Sequence, residues 1–166
     1  MELSSRHPNL SNANLVAGTL FVGAFELPRR SLPNYINAIV LCAAELQPPE
    51  RAYPDIKVLH CPLADDLDPL TEDECVMVQK TVRRIRVMSD EGQVVLVTCV
   101  MGLNRSSFIA AAALMMPQNV DGRMFTVGTT PGGMSSAQVI SLIRQARGPN
   151  ALGNPKFTYL LAASEL

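Results

Sequence analysis

The chain has 166 residues and a formal net charge of −1, with 48% hydrophobic and 17% charged residues. This length predicts a single domain over residues 1–166, with a core of about 15–161, and the composition excludes a disordered chain. Because the charge is nearly neutral, no overall basic field would attract nucleic acid or an anionic membrane, and we expect neither as a partner. No apolar run is long enough to cross a bilayer, and the first residues lack the pattern of a signal peptide.

The predicted strands and helices alternate along the chain. Short apolar runs predict strands buried on both faces at 20–22, 37–41, 57–60 and 94–97. Helices are predicted at 71–88, at 106–116, from a capping box at 135 to a stop at 148, and at 157–163. The alternation predicts an α/β fold with a central, mostly parallel sheet of four to five strands flanked by helices.

The four cysteines, Cys42, Cys61, Cys75 and Cys99, are scattered without a Cys-x-x-Cys pair. This spacing predicts neither a disulfide framework nor a zinc site, so we expect no metal. Free thiols are typical of a reducing compartment, and we therefore expect a cytoplasmic protein whose thiols are available for chemistry.

A strand, a short turn and a helix surround Cys99 and Arg105. The backbone N–H groups of such a turn form an anion-binding nest, and the helix directs the positive end of its dipole to the same place. The thiolate form of Cys99 is favoured in this field, and thiolate is the nucleophilic form. Arg105 supplies a planar fork for two phosphate oxygens, Gly102 lets the turn adopt its backbone conformation, and Ser106 is placed to hydrogen-bond Cys99. The predicted phosphate-binding residues are Val100, Met101, Gly102, Leu103, Asn104 and Arg105.

Three aspartates follow the predicted strand at 57–60, namely Asp65, Asp66 and Asp68. Ligands of parallel α/β sheets gather at the carboxyl ends of the strands, where Cys99 also lies. Phosphoryl transfer to a thiolate expels an oxyanion that a carboxylic acid can protonate. One of these aspartates is therefore a candidate general acid, although each one could equally be part of a solvated loop.

The segment Thr98–Ser106 resembles the signature loop of the dual-specificity class of protein tyrosine phosphatases, His-Cys-x-x-Gly-x-x-Arg-Ser/Thr. Three further segments extend the resemblance to about 15–161. They are Leu20-Phe21-Val22-Gly23-Ala24, His60-Cys61-Pro62-Leu63-Ala64-Asp65, and 135–157 with Arg144, Arg147, Pro149 and Asn154. The chain departs from the pattern at Thr98, where the family usually has His.

The resemblance implies a role for each matched residue. Cys99 would be the nucleophile, Arg105 would bind phosphate, and Ser106 would assist departure of the thiolate. Asp65 would be the general acid and base, with Asp66 as the alternative because the stretch to Cys99 is slightly long for the family. No metal or organic cofactor is implied.

Cys42 resembles, by its position, a second redox-active cysteine of some lipid-phosphatase relatives. A disulfide between Cys42 and Cys99 would make the protein redox-sensitive, and Cys61 is the rival partner. The alternative is that Cys42 is only a buried, small hydrophobic residue.

The expected function is that of a phosphomonoesterase acting on a phosphorylated protein through a cysteinyl-phosphate. Asn104 directly before Arg105 resembles the corresponding loop of RNA 5′-triphosphatase relatives. A phosphoinositide phosphatase could use the same site, although the turn lacks the lysines typical of that class. Thr98 leaves open a pseudophosphatase that binds phosphoproteins without turnover. A rhodanese-like sulfurtransferase is opposed by the upstream aspartates and by Ser106.

Overall fold

The computed structural model describes residues 10, 12–25, 32–116 and 133–164. Within these residues, five strands form one sheet in the order β1-β2-β5-β3-β4. The antiparallel β1–β2 pair lies at one edge, and the remaining neighbours are parallel. The strands are β1 (Ala13–Ala17), β2 (Leu20–Ala24), β3 (Ala38–Ala43), β4 (Lys57–Leu63) and β5 (Val95–Cys99).

The described residues form four helices and a short 3₁₀ helix at Glu50–Ala52. The helices are α1 (Glu72–Asp90), α2 (Arg105–Met115), α3 (Ser136–Arg147) and α4 (Pro155–Ala163). Both predicted capping boxes are present, before α1 and before α3. Among the described residues, no helix is both long and apolar enough to cross a membrane.

Alternate residues of the strands enter two apolar clusters on opposite faces of the sheet. Val22, Val40 and Val97 belong to the larger cluster, which also contains the buried side chains of all four helices. Phe21 and Leu41 belong to the smaller cluster, which contains no buried residue of these helices. The α/β fold with a mostly parallel sheet is therefore confirmed, with its main core on the helical face.

Several predicted boundaries differ from those of the structure. The strand predicted to stop before Pro62 continues to Leu63 as β4. A proline is tolerated there because β4 is an edge strand, whose outer side makes no ladder hydrogen bonds. The strand predicted to end at 41 continues to Ala43, so Cys42 lies inside β3.

Candidate active site

The loop between β5 and α2 begins at the carboxyl end of a central strand. β5 lies between β2 and β3, and all five of its residues are buried. Cys99 is its last residue, and Arg105 is the first residue of α2. The segment Cys99–Arg105, called the phosphate loop below, therefore joins a fixed strand to the amino terminus of a buried helix.

A close approach between the phosphate loop and the end of β2 depends on Gly102. Its φ of +67° lies in the left-handed region. A Cβ atom there would stand 2.4 Å from the carbonyl carbon of Gly23 and 2.6 Å from the nitrogen of Ala24. The nitrogen of Phe25 also donates to the carbonyl of Cys99 at 2.7 Å. Only glycine allows the loop to lie this close to the neighbouring strand.

The carbonyls of the phosphate loop are bound from outside the loop. Arg147 donates from Nε to the carbonyl of Gly102 at 3.0 Å and from Nη2 to that of Met101 at 3.1 Å. The nitrogen of Leu152 donates to the carbonyl of Leu103 at 2.8 Å. The C=O and N–H of one trans peptide point in opposite directions, so the N–H groups that follow these carbonyls point away from Arg147 and Leu152. An anion-binding nest requires this arrangement.

The sulfur of Cys99 lies against a hydroxyl. Its Sγ is 3.1 Å from Oγ of Ser106, which is fully buried in the first turn of α2. Only 3% of Cys99 is exposed, so the bulk of its surroundings is protein. The hydroxyl can donate to a thiolate, which is the arrangement expected for stabilising a departing sulfur.

Thr98, which stands where histidine is usual, is also hydrogen-bonded. Its Oγ1 donates to the carbonyl of Val40 on β3 at 3.2 Å, and the residue is only 1% exposed. The threonine hydroxyl therefore ties β5 to β3 one residue before Cys99.

Arg105 is held by Glu45, a residue that the sequence analysis did not assign. Its Nη1 and Nη2 donate to the two carboxylate oxygens at 2.5 and 2.8 Å, and Nη1 also donates to the carbonyl of Leu63 at 3.1 Å. Burial lowers the pKa of Arg105, but the Glu45 carboxylate outweighs this effect and keeps that pKa above its usual value. The bond to Arg105 lowers the pKa of Glu45. The only available sequence signal was an acidic residue shortly after a buried strand.

One edge of the Arg105 guanidinium remains available for a ligand. A guanidinium carries five N–H bonds. The contacts to Glu45 and Leu63 use both N–H bonds of Nη1 and one of the two N–H bonds of Nη2. The Nε atom is buried and has no hydrogen-bond partner within the described residues. The N–H of Nε and the second N–H of Nη2 share one edge, which can hold two oxygens of an anion.

The loop after β4, called the acid loop below (residues 64–68), brings Asp65 to the phosphate loop. Its carboxylate accepts from Nδ2 of Asn104 at 3.1 Å and from Nδ2 of Asn154 at 2.9 Å. Asp66 instead pairs with Lys156, with 2.5 Å between Oδ1 and Nζ. That bond is the largest influence on Asp66 and lowers its pKa. Of these two aspartates, Asp65 is thus the one bonded to the phosphate loop.

Three cysteines lie in a row across adjacent strands. Leu41 of β3 pairs with Thr98 of β5 and with His60 of β4, and the next residues are Cys42, Cys99 and Cys61. The register between β3 and β4 shifts between Leu41 and Ala43, so Cys42 and Cys61 lie at this irregularity. All three belong to the larger core cluster. Burial raises the pKa of Cys42 well above its usual value and that of Cys61 to about 11.

The order of the strands bears on which of the two predicted redox partners can reach Cys99. Cys42 is on the adjacent strand, whereas Cys61 is two strands away, at about 10 Å given the spacing of strands. Since a disulfide needs Cα atoms within about 7 Å, Cys61 is too distant to be the partner. Among the described residues, no group of three or more His, Cys, Asp or Glu side chains could hold a metal ion.

Comparison with solved structures identifies the fold. Tk-PTP in its active form has a TM-score of 0.71 at 22% identity, over 93% of this chain and 97% of that chain. Human DUSP28 has a TM-score of 0.66 at 24% identity, over 95% of each chain. DUSP15 has a TM-score of 0.65 at 24% identity, over 91% of this chain and 85% of that one.

By sequence, no protein-family model and no curated protein matches the chain. The structural likeness shows that the chain has the fold of the dual-specificity class of cysteine-dependent protein tyrosine phosphatases.

Proposed function

We propose that this chain is a phosphomonoesterase of the dual-specificity protein phosphatase type, with Cys99 as nucleophile and Arg105 as phosphate ligand. The observation that carries the proposal is the free edge of Arg105. Its Nε–H is buried without a partner among the described residues, in a side chain that Glu45 fixes by two bonds. An unpaired buried donor is costly, and an anion with two oxygens would satisfy it.

The phosphate loop supplies further donors for the same anion. The N–H groups that follow Met101, Gly102 and Leu103 point away from Arg147 and Leu152, and they precede the amino terminus of α2. Aligned peptide dipoles of a helix favour negative charge at this end. Backbone donors and Arg105 together would bind the phosphoryl oxygens and stabilise the charge on them in the transition state.

The first chemical step transfers the phosphoryl group to sulfur. The Cys99 thiolate attacks phosphorus, an S–P bond forms, and the bond from phosphorus to the leaving oxygen breaks. Asp65 gives its proton to that oxygen, which departs as a neutral alcohol or phenol.

The second step returns the enzyme to its starting state. A water molecule attacks phosphorus while Asp65 takes its proton, the S–P bond breaks, and inorganic phosphate is released. Ser106, 3.1 Å from the sulfur, donates to the thiolate as it leaves. Asp66 is the weaker candidate for the acid because its carboxylate is paired with Lys156.

The surroundings of the loops favour a phosphate carried by an uncharged group. Met101 is 65% exposed on the phosphate loop and Leu67 is 72% exposed on the acid loop. Among the described residues, the two cations bonded to these loops are already engaged, Arg147 by loop carbonyls and Lys156 by Asp66. Apolar side chains beside acidic ones suit a phosphorylated side chain of a protein better than a phosphoinositide or an RNA 5′-triphosphate, whose additional phosphates would need cations.

The test is hydrolysis of para-nitrophenyl phosphate without added metal by the wild type, Cys99→Ser and Arg105→Lys. We expect turnover to be abolished by Cys99→Ser, while binding of inorganic phosphate is retained. Arg105→Lys should lose both, since an ammonium cannot reproduce the two-oxygen edge. Cys75→Ser, the same replacement on α1, is the control that should keep full activity.

Near-normal turnover by Cys99→Ser would refute the cysteinyl-phosphate mechanism. A wild type that binds phosphate without hydrolysing any substrate would instead be a pseudophosphatase. A panel of phosphotyrosine and phosphoserine peptides, phosphoinositides and 5′-triphosphorylated RNA then tests the substrate class.

A further inference from the structure

Two asparagines from distant parts of the chain meet on the carboxylate of Asp65. Asn104 donates from Nδ2 to Oδ2 at 3.1 Å, and Asn154 donates from Nδ2 to Oδ1 at 2.9 Å. The two are also joined to each other, because the backbone nitrogen of Asn154 donates to Oδ1 of Asn104 at 3.2 Å. Asn104 and Asn154 are called the amide clamp below.

Asn104 occupies a helix-capping position without using it. It precedes the first residue of α2, where an asparagine side chain ordinarily accepts from an N–H of the first turn. Here the side chain makes no capping bond. Its donor binds Asp65 and its acceptor binds Asn154, so its polar groups serve contacts between loops instead of the helix.

Asn154 has a capping role and a second role that can be separated from it. Its Oδ1 accepts from the nitrogen of Lys156 at 3.0 Å and so caps α4. Its Nδ2 donates to Asp65 and to the carbonyl of Asp66, the latter at 2.8 Å. The oxygen therefore serves the helix and the amide nitrogen serves the acid loop.

We infer that Asn104 and Asn154 are positioning residues that hold Asp65 beside the phosphate loop before any substrate binds. The inference rests on the proposed role of Asp65 as general acid. Each carboxylate oxygen has two lone pairs, so one amide bond per oxygen leaves room for the exchanged proton and for the substrate. Because Asn104 directly precedes Arg105, the clamp fixes the acid relative to the phosphate-binding arginine through one peptide bond.

The chain offers variants that remove the amide donors to Asp65 and leave the capping of α2 and α4 unchanged. Asn154→Asp retains an oxygen to cap α4 and loses both bonds from Nδ2. Asn104→Ala removes the donor to Asp65 at a position where the side chain caps nothing. Gln145→Glu makes the same amide-to-acid change at an exposed position of α3 and is the control for added charge.

The decisive measurement is turnover against leaving-group acidity. For phenyl phosphate, which needs protonation of its leaving oxygen, we expect each clamp variant to lower kcat by about 10- to 10²-fold, as for a misplaced catalytic group. For 2,4-dinitrophenyl phosphate, which needs little protonation, the loss should be below about 3-fold. KM should stay near the wild-type value, because both variants leave Cys99, Arg105 and the backbone N–H groups of the phosphate loop in place.

Hydrogen exchange of the backbone over 64–68 supplies a readout independent of activity, and we expect it to become faster in both clamp variants and not in Gln145→Glu. An equal loss of kcat for both substrates, or unchanged exchange, would overturn the clamp. A wild type without any hydrolysis would overturn the proposed function, and the exchange data would still decide whether the clamp holds the loop.

Discussion

The phosphate loop is held mainly through its own backbone atoms, whereas the acid loop is held mainly through its own carboxylate side chains. Gly102 packs against the backbone of β2, and donors from α3 and from Leu152 bind the carbonyls of the phosphate loop. The acid loop is bound by Asn104, Asn154 and Lys156 through their side chains. Cys99 is 3% exposed, whereas Asp65 and Asp66 are exposed.

This difference matches the two chemical tasks that we propose for the loops. Donors for a phosphoryl group must stand in place before the reaction, because reorganising them during it would raise the barrier. An acid must accept and release protons and let products leave, so it can be held by contacts that break individually. Changes in the phosphate loop should therefore affect the whole site, and changes around the acid loop should affect single steps.

The largest expected effect is complete but reversible inactivation by peroxide, which attacks the Cys99 thiolate of the phosphate loop. The Cys99 thiolate attacks one oxygen of hydrogen peroxide, the O–O bond breaks, and a sulfenic acid forms with release of hydroxide. The thiol of Cys42 then attacks that sulfur, a disulfide forms, and the hydroxyl leaves with the thiol proton as water. Peptide mapping without reduction should find Cys42 joined to Cys99.

Burial of Cys42 slows formation of this disulfide, which would otherwise protect Cys99 from further oxidation. Because burial raises its pKa, its thiol is protonated and traps the sulfenic acid slowly. Recovery by dithiothreitol should therefore decline as exposure to peroxide lengthens, and Cys42→Ser should abolish recovery while keeping basal turnover. Cys61→Ser, one strand further away, is the control; recovery that depends on Cys61 would refute the assignment from strand register.

The next largest effect is expected for Asp65→Asn, which removes the proposed general acid and keeps the shape of the acid loop. Turnover of phenyl phosphate should fall by about 10²–10⁴-fold, the usual range for a general acid. Steady-state kinetics compared with Asp66→Asn tests the assignment. If Asp66→Asn shows the large loss and Asp65→Asn does not, the acid is one residue later than proposed.

The strands that were predicted best are those whose environment is uniform. β3 and β5 are buried at every position, and their sequences are apolar apart from Thr98, so their pattern is unambiguous. β1 was not predicted, because it is only partly buried and includes the polar Asn14. Its place is fixed by antiparallel pairing with β2, which is tertiary information.

In the candidate site, too, local sequence patterns predicted what is close along the chain and missed what tertiary contacts bring together. The sequence places Cys99, Arg105 and Ser106 together because they lie within one strand-turn-helix segment. Glu45 is 60 residues from Arg105, and Asn154 is 89 residues from Asp65. No local pattern joins such pairs, and only the topology of the sheet brings them into contact.

A smaller loss of turnover is expected for Gly102→Ala, which tests whether the backbone holds the phosphate loop. The added Cβ would need a left-handed conformation and would meet the backbone of β2 at 2.4 Å. We expect unfolding free energy to fall by about 1–3 kcal/mol and kcat by about 10²-fold, as for a displacement near 1 Å. Chemical denaturation and kinetics measure the two effects.

Gly92→Ala is the matched control, since its φ is also positive and a Cβ there would meet nothing within 4 Å. It carries the conformational cost without the collision, so it should lose stability and keep its turnover. If Gly102→Ala behaves like Gly92→Ala, close approach to β2 is not what shapes the loop.

The smallest effect is expected for Lys156→Met, which acts on the acid loop alone. The lysine stem is buried and its ammonium bonds Asp66 and the carbonyl of Ala64, so methionine keeps the stem and removes both bonds. The bond to Lys156 lowers the pKa of Asp66. A lowered carboxyl pKa stabilises the fold above the unfolded value of about 3.9, and this contribution disappears as pH falls through the lowered pKa.

In the variant, titration followed by NMR should show the pKa of Asp66 rising toward its ordinary value. The contribution of Asp66 to stability at neutral pH is then absent, so the wild type's advantage in stability over the variant should shrink as pH falls through the lowered pKa. Asp65 keeps its bonds to Asn104 and Asn154, so turnover should fall by only about 2- to 3-fold, far less than when the acid itself is removed. Lys80→Met, at an exposed position of α1, is the control for the lost charge. A loss of turnover as large as that of Asp65→Asn would mean that Lys156, and not the amide clamp, holds the acid in place.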